Sequence, residues 1–179
     1  MTFGKDKIEI KATFDTDKHK AKILQYIEYK NTSNTALDTI YFNDWSNSFS
    51  TKKTPLALRF AEEYDTGFFF AKNEERGFTT VFTVTDHQNK SLNFEHLKAH
   101  PDVLEVILDQ PLLPGESYKI TLSYLVQFPD DKFTRYGISP LKELKLKYWY
   151  ITPTVYNGEW NYYSNKDLEK GEQSYTVYA

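Results

Sequence analysis

From Lys7 to Phe14 the chain reads KIEIKATF, and every second residue is apolar: Ile8, Ile10, Ala12 and Phe14 share one face. A period of two predicts a strand, and Asp15-Thr16-Asp17-Lys18 supplies the turn chemistry to end it. Lys20 to Asn31 (KAKILQYIEYKN) alternates again, with Ala21, Ile23, Gln25, Ile27 and Tyr29 on one face and Leu24, Tyr26 and Glu28 on the other. The two segments are expected to pair as a hairpin. The polar cluster Asn31 to Asn34 closes the second strand, and Leu37 to Asn43 (LDTIYFN) predicts a third.

The period then changes, because Leu56, Phe60, Ala61 and Tyr64 stand at helical spacing after Thr54-Pro55. Thr54 suits a helix cap, Pro55 suits the first turn, and Gly67 is a natural stop, so one short helix is predicted over Pro55 to Tyr64. Strand patterns resume at Phe78 to Thr85 and Ser91 to His96, which the turn Asp86 to Lys90 is expected to join as a hairpin. Val103 to Leu108 follows. Next, in DQPLLPGESYKITLSY (Asp109 to Tyr124), Pro111, Pro114 and Gly115 read as hairpin punctuation. The strand after them carries Tyr118, Ile120, Leu122, Tyr124 and Val126 on one face. Lys145 to Ile151 and Ser174 to Tyr178 are two further predicted strands. About nine short antiparallel strands with no βαβ alternation predict an all-β fold, an antiparallel β-sandwich or open barrel with one short helix inserted.

Composition narrows the setting. A length of 179 residues with 40% hydrophobic content and no Gly/Ser-rich or Pro-rich run predicts one domain over residues 1–179. The 17% aromatic content, with 14 Tyr and 13 Phe, strengthens the β reading. A net charge of -3 with scattered Lys and Arg offers no basic stripe, so nucleic acid is not an expected partner. No apolar run reaches the length of a membrane span, and MTFGKDKIEIK has no hydrophobic signal core. The expectation is a soluble chain with no membrane partner, its compartment open between cytoplasm and periplasm. Absence of cysteine excludes disulfides, thiolate metal sites and a cysteine nucleophile.

Candidate chemistry is sparse. Of the four histidines, at 19, 87, 96 and 100, His96 and His100 stand four apart, but they follow a strand pattern and Pro101 argues against a helix carrying both on one face; no HExxH or CxxC spacing occurs, and all four read as surface or loop residues. There is no GxSxG elbow, and the glycines do not assemble into a phosphate loop. Glu62-Glu63 and Glu74-Glu75 read as solvated charge. Asn31-Thr32-Ser33 and Asn89-Lys90-Ser91 match the short glycosylation pattern. The densest unusual stretch is KYWYITPTVYNGEWNYYS, Lys147 to Ser164, with Tyr148, Trp149, Tyr150, Tyr156, Trp160, Tyr162 and Tyr163. Rings beside amides and carboxylates suit a carbohydrate-binding surface, and they equally suit a core or a domain interface. Asn157-Gly158 predicts a tight turn between Tyr156 and Trp160.

Several stretches, in this order, resemble the amino-terminal domain of M1-family (gluzincin) zinc metallopeptidases, particularly the bacterial aminopeptidase-like group. They are YKNTSN, NDW, TPLALRFAEEY, AKNEERG, LDQPLLPGESYKITLSYLVQFP and WYITPTVYNGEW. The resemblance implies a saddle-like β-sandwich, expected here as an amino-terminal piece of a larger peptidase, ahead of a thermolysin-like catalytic domain. That domain would hold zinc through HExxH and a downstream Glu, and neither HExxH nor the family's GxMEN-type loop occurs in this sequence. No cofactor is therefore expected in this chain, which should not itself be an enzyme. Its expected partner is its own catalytic domain, with a short peptide as the parent's substrate. The family also supplies a pocket-lining Gln or Glu just after the aromatic stretch; no Gln or Glu matches, and Thr152 is the nearest polar residue. Trp149, Tyr150, Thr152, Tyr156 and Trp160 are the candidate wall of a substrate pocket or domain interface. The alternative is a free-standing carbohydrate- or protein-binding module that uses the same rings.

Overall fold

The computed structural model describes residues 6–162. The most regular alternation in the sequence becomes the centre of the first sheet. Strand β2 (Lys20–Lys30) pairs along its whole length with β7 (Ser117–Gln127), from Lys20 opposite Gln127 to Lys30 opposite Ser117. Flanking them are β1 (Lys7–Asp15), which forms the expected hairpin with β2, and β4 (Phe78–Asp86), which pairs with β7. The second sheet runs in the order β10 (Thr152–Pro153), β3 (Leu37–Asn43), β6 (Val103–Leu112) and β5 (Asn93–His96). All pairings within the two sheets are antiparallel. The described residues form an antiparallel β-sandwich with one short α-helix inserted.

The alternation explains the core. Ala21, Ile23, Ile27 and Tyr29 of β2 and Ile120, Leu122, Tyr124 and Val126 of β7 are buried, as are Ile40 and Phe42 of β3 and Leu104 and Val106 of β6. Each fully buried aliphatic side chain stabilises the fold by roughly 1.5–3 kcal/mol relative to exposure. Helix α1 (Pro55–Glu62) starts as expected: the Ala57 amide donates to Thr54 Oγ1 at 3.2 Å, and Pro55 occupies the first turn. It ends sooner than expected. Asp65 N–H donates to Phe60 C=O and Tyr64 N–H to Ala61 C=O, and Tyr64 takes φ 61°. That closing motif usually places glycine where Tyr64 stands, so Tyr64 rather than Gly67 is the stop.

Two predicted hairpins are crossovers instead. Strands β4 and β5 lie in different sheets; Asp86 N–H donates to Lys90 C=O and Thr85 bridges Ser91, after which the chain leaves for the second sheet. Likewise β6 and β7 lie in different sheets, and Leu113 to Glu116 is an arch over the end of the sandwich. A second arch, from β2 to β3, meets it through Asn31. The Asn31 C=O accepts from the Gly115 amide at 2.8 Å, and its Nδ2 donates to the carbonyls of Leu112 and Thr35. Buried and fully engaged, Asn31 is no glycan acceptor in this fold. Gly115 takes φ 82°, which spares this arch the steric cost another residue would bring.

The strand expected over Lys145 to Ile151 is also replaced. Only Leu144–Lys145 (β9) is extended, paired with Gly137–Ile138 (β8), and Tyr148 at φ 52° breaks the run. A last small hairpin, Val155–Tyr156 (β11) with Trp160–Asn161 (β12), contains the predicted Asn157-Gly158 turn. The predicted strand Ser174 to Tyr178 and the ring of Tyr163 lie outside the described residues. Among the described residues, no helix is long and apolar enough to cross a membrane.

Candidate functional site

The five residues singled out from sequence lie along one segment that sews the two sheets together. It begins at Trp149, whose ring lies 5.3 Å from Phe14 of β1 and 5.5 Å from Tyr150. Ile151 is then pinned to the first sheet by a buried polar triad. Gln25 Nε2 donates to the Ile151 carbonyl at 2.6 Å, the Ile151 amide donates to the Tyr124 hydroxyl oxygen at 3.2 Å, and that hydroxyl donates to Gln25 Oε1. Gln25 sits on the apolar face of β2 with 0% of its surface exposed, and this triad satisfies it there. Immediately afterwards Thr152 and Pro153 pair with Asn43 and Phe42 of the second sheet, and the Thr154 amide donates to the Tyr41 carbonyl at 2.9 Å.

The small hairpin carries the seam further. Tyr156 and Trp160 lie 5.1 Å apart, and Trp160 touches both sheets, 6.2 Å from Tyr29 of β2 and 5.4 Å from Tyr41 of β3. Tyr41 also meets Tyr162, which lies 5.3 Å from His100. The Tyr41 hydroxyl donates to Glu105 Oε1 at 2.5 Å; burial, and then this carboxylate, push the phenol up to about 12. Burial also raises Tyr150. The candidate rings thus fall into two groups, Trp149 with Tyr150 and Tyr156 with Trp160, and the structure does not gather them into one pocket. All four are partly buried against the core.

A second polar centre, unmarked in the sequence reading, sits where β3 ends. Asp44 is buried between the sheets: its Oδ1 accepts from Thr79 Oγ1 of β4 at 2.7 Å, and its Oδ2 lies 2.8 Å from His96 Nε2 of β5. A carboxylate only accepts, so this pairing puts the imidazole proton on Nε2. Asn47 extends the centre, donating to the Pro101 carbonyl at 2.6 Å and accepting from the Thr79 amide at 3.2 Å. Ser46 shares a hydrogen bond of 2.7 Å with the buried Tyr136 hydroxyl. Of the four histidines, His96 is therefore not a simple surface residue. Its carboxylate partner fixes the ring.

Arg76 is buried and holds its own loop together. Its Nη2 donates to the Phe68 carbonyl at 2.8 Å, and its guanidinium lies 4.4 Å from the Phe68 ring centre. Desolvation lowers its pKa, with Glu75 opposing. The signal for Gln25 was present as a polar residue on a face that the alternation assigns to the interior; Asp44 and Arg76, outside the alternating strands, had no such signal. What the sequence did not carry was the identity of their partners, which are 35 to 126 residues away for Asp44 and Gln25.

Among the described residues, no three His, Asp or Glu side chains converge where a metal ion would be held. Compared with protein-family models and with curated proteins, the chain matches none.

Proposed function

We propose that this chain is the non-catalytic amino-terminal β-sandwich of an M1-like zinc aminopeptidase, packing on a catalytic domain and walling one side of its substrate cleft. The observation that carries this reading is the surface of the seam and the segment leading into it. Leu141, Leu146, Tyr148 and Val155 are all exposed large apolar side chains within that one stretch. Exposed apolar residues flanking a segment pinned to both sheets suit a contact with another folded surface. The stretches that carry the family resemblance also behave as scaffold. YKNTSN and LLPGES form the two arches joined by Asn31, NDW leads into the Asp44 centre, and WYITP is the seam.

On this reading zinc chemistry belongs to the catalytic domain, and among the described residues of this chain no ligand set for it converges. No hydrolytic step is assigned to them. The purified chain supplied with zinc should show no turnover of an aminoacyl p-nitroanilide, whereas a longer polypeptide of the natural reading frame should show it. Zinc-dependent turnover by the chain alone would overturn the proposal. The free-standing carbohydrate-binding alternative needs accessible rings on the seam, and the packing of Trp149 on Phe14 and of Trp160 on Tyr29 and Tyr41 weighs against it.

A further inference from the structure

On the outer face of the first sheet, away from the seam, lies an open groove of about 340 Å³. Its lining comes from β1, β2 and β7 together with the turn that follows β4, including His87 and Asn89. Across the three strands, Lys7 stands opposite Glu28, and Glu28 opposite Lys119. One position along, Glu9 stands opposite Tyr26, and Tyr26 opposite Thr121. The volume falls at the lower end of the range for small-molecule sites.

Two properties of this lining define what it can hold. First, the lining mixes signs, with Lys7 and Lys119 beside Glu9, Glu28 and Asp86, so cationic donors and anionic acceptors stand side by side in it. Second, among the described residues no ion pair within 4.0 Å engages Lys7, Glu28 or Lys119. The strands that carry them lie about 4.8 Å apart. Beside them Tyr26 supplies an aromatic ring, braced by Lys11, whose Nζ lies 5.4 Å from its centre. Mixed donors and acceptors next to one partly exposed ring are the chemistry that recognises a polyhydroxylated ligand. The geometry points to a binding site for a short saccharide in this groove, separate from the seam and independent of the peptidase-domain proposal.

Titration of the isotope-labelled chain with maltotriose, cellotriose and chitotriose, followed by amide chemical shifts, tests this assignment. At least one of the three should shift residues 26–28, 87–89 and 119–121 at millimolar concentration and leave Trp149 and Trp160 unmoved. Tyr26→Ala and Glu28→Gln, both on the solvent face, should each weaken that binding by roughly fivefold to tenfold while the urea midpoint stays close to that of the parent chain. No shift with any of the three sugars overturns the site. Shifts centred on the tryptophans overturn its location, and a response to glycylglycine larger than to any sugar overturns the ligand class.

Discussion

Tyr64 stands in a backbone position that suits glycine, and its side chain is 92% exposed. The left-handed conformation brings its Cβ close to backbone, a cost of about 1–2 kcal/mol for a non-glycine residue, and little burial of the ring offsets it. Tyr64→Gly keeps the Tyr64 and Asp65 amides in their closing hydrogen bonds and removes the strain. We expect the variant to be more stable by about 1 kcal/mol, read as an upward shift of the urea midpoint. A loss of stability would mean that the Tyr64 ring contributes contacts beyond this local geometry. Asn31 illustrates the opposite case, in which one side chain is so completely engaged by two arches that its sequence pattern says nothing about modification.

At the scale of elements, the seam depends on the Gln25–Tyr124–Ile151 triad. Tyr124→Phe keeps the ring in the core and leaves Gln25 Oε1 and the Ile151 amide without their partner. An unsatisfied buried polar group costs roughly 1–3 kcal/mol, so a destabilisation of that order is expected. Amide exchange at Ile151 should accelerate more than exchange in the centre of β2; equal acceleration would place the defect in the core at large. The strands of the two sheets were legible because their faces alternate with period two: Ala21 to Tyr29 and Ile120 to Val126 are buried on the predicted side. Which strands share a sheet was not legible. A tight turn such as Asp86 to Lys90 looks the same in sequence whether the next strand pairs with the last or crosses to the opposite sheet. The seam was legible as aromatic density, while its anchoring was not, because Gln25 precedes Ile151 by 126 residues. Lys145 to Ile151 misled for another reason: its alternation is real, but Tyr148 adopts a left-handed backbone that no strand contains.

The whole molecule is a two-sheet scaffold with its arches tied at one end by Asn31, its sheets bridged by the Asp44 centre, and a seam that crosses from one sheet to the other. The buried polar groups described here are mostly spent on holding these pieces in place. Among the large apolar side chains left on the outside are Leu141, Leu146, Tyr148 and Val155, and the polar groove around Tyr26 is open as well. The central proposal is that these exposed apolar residues form a face for a catalytic domain. Its most direct test is amide hydrogen exchange across residues 141–162, measured in this chain alone and in the longer polypeptide of the natural reading frame. The account predicts that exchange around Leu146, Tyr148 and Val155 slows in the longer polypeptide while the turn at residues 86–90 is unchanged. Identical exchange along residues 141–162 in the two would contradict it.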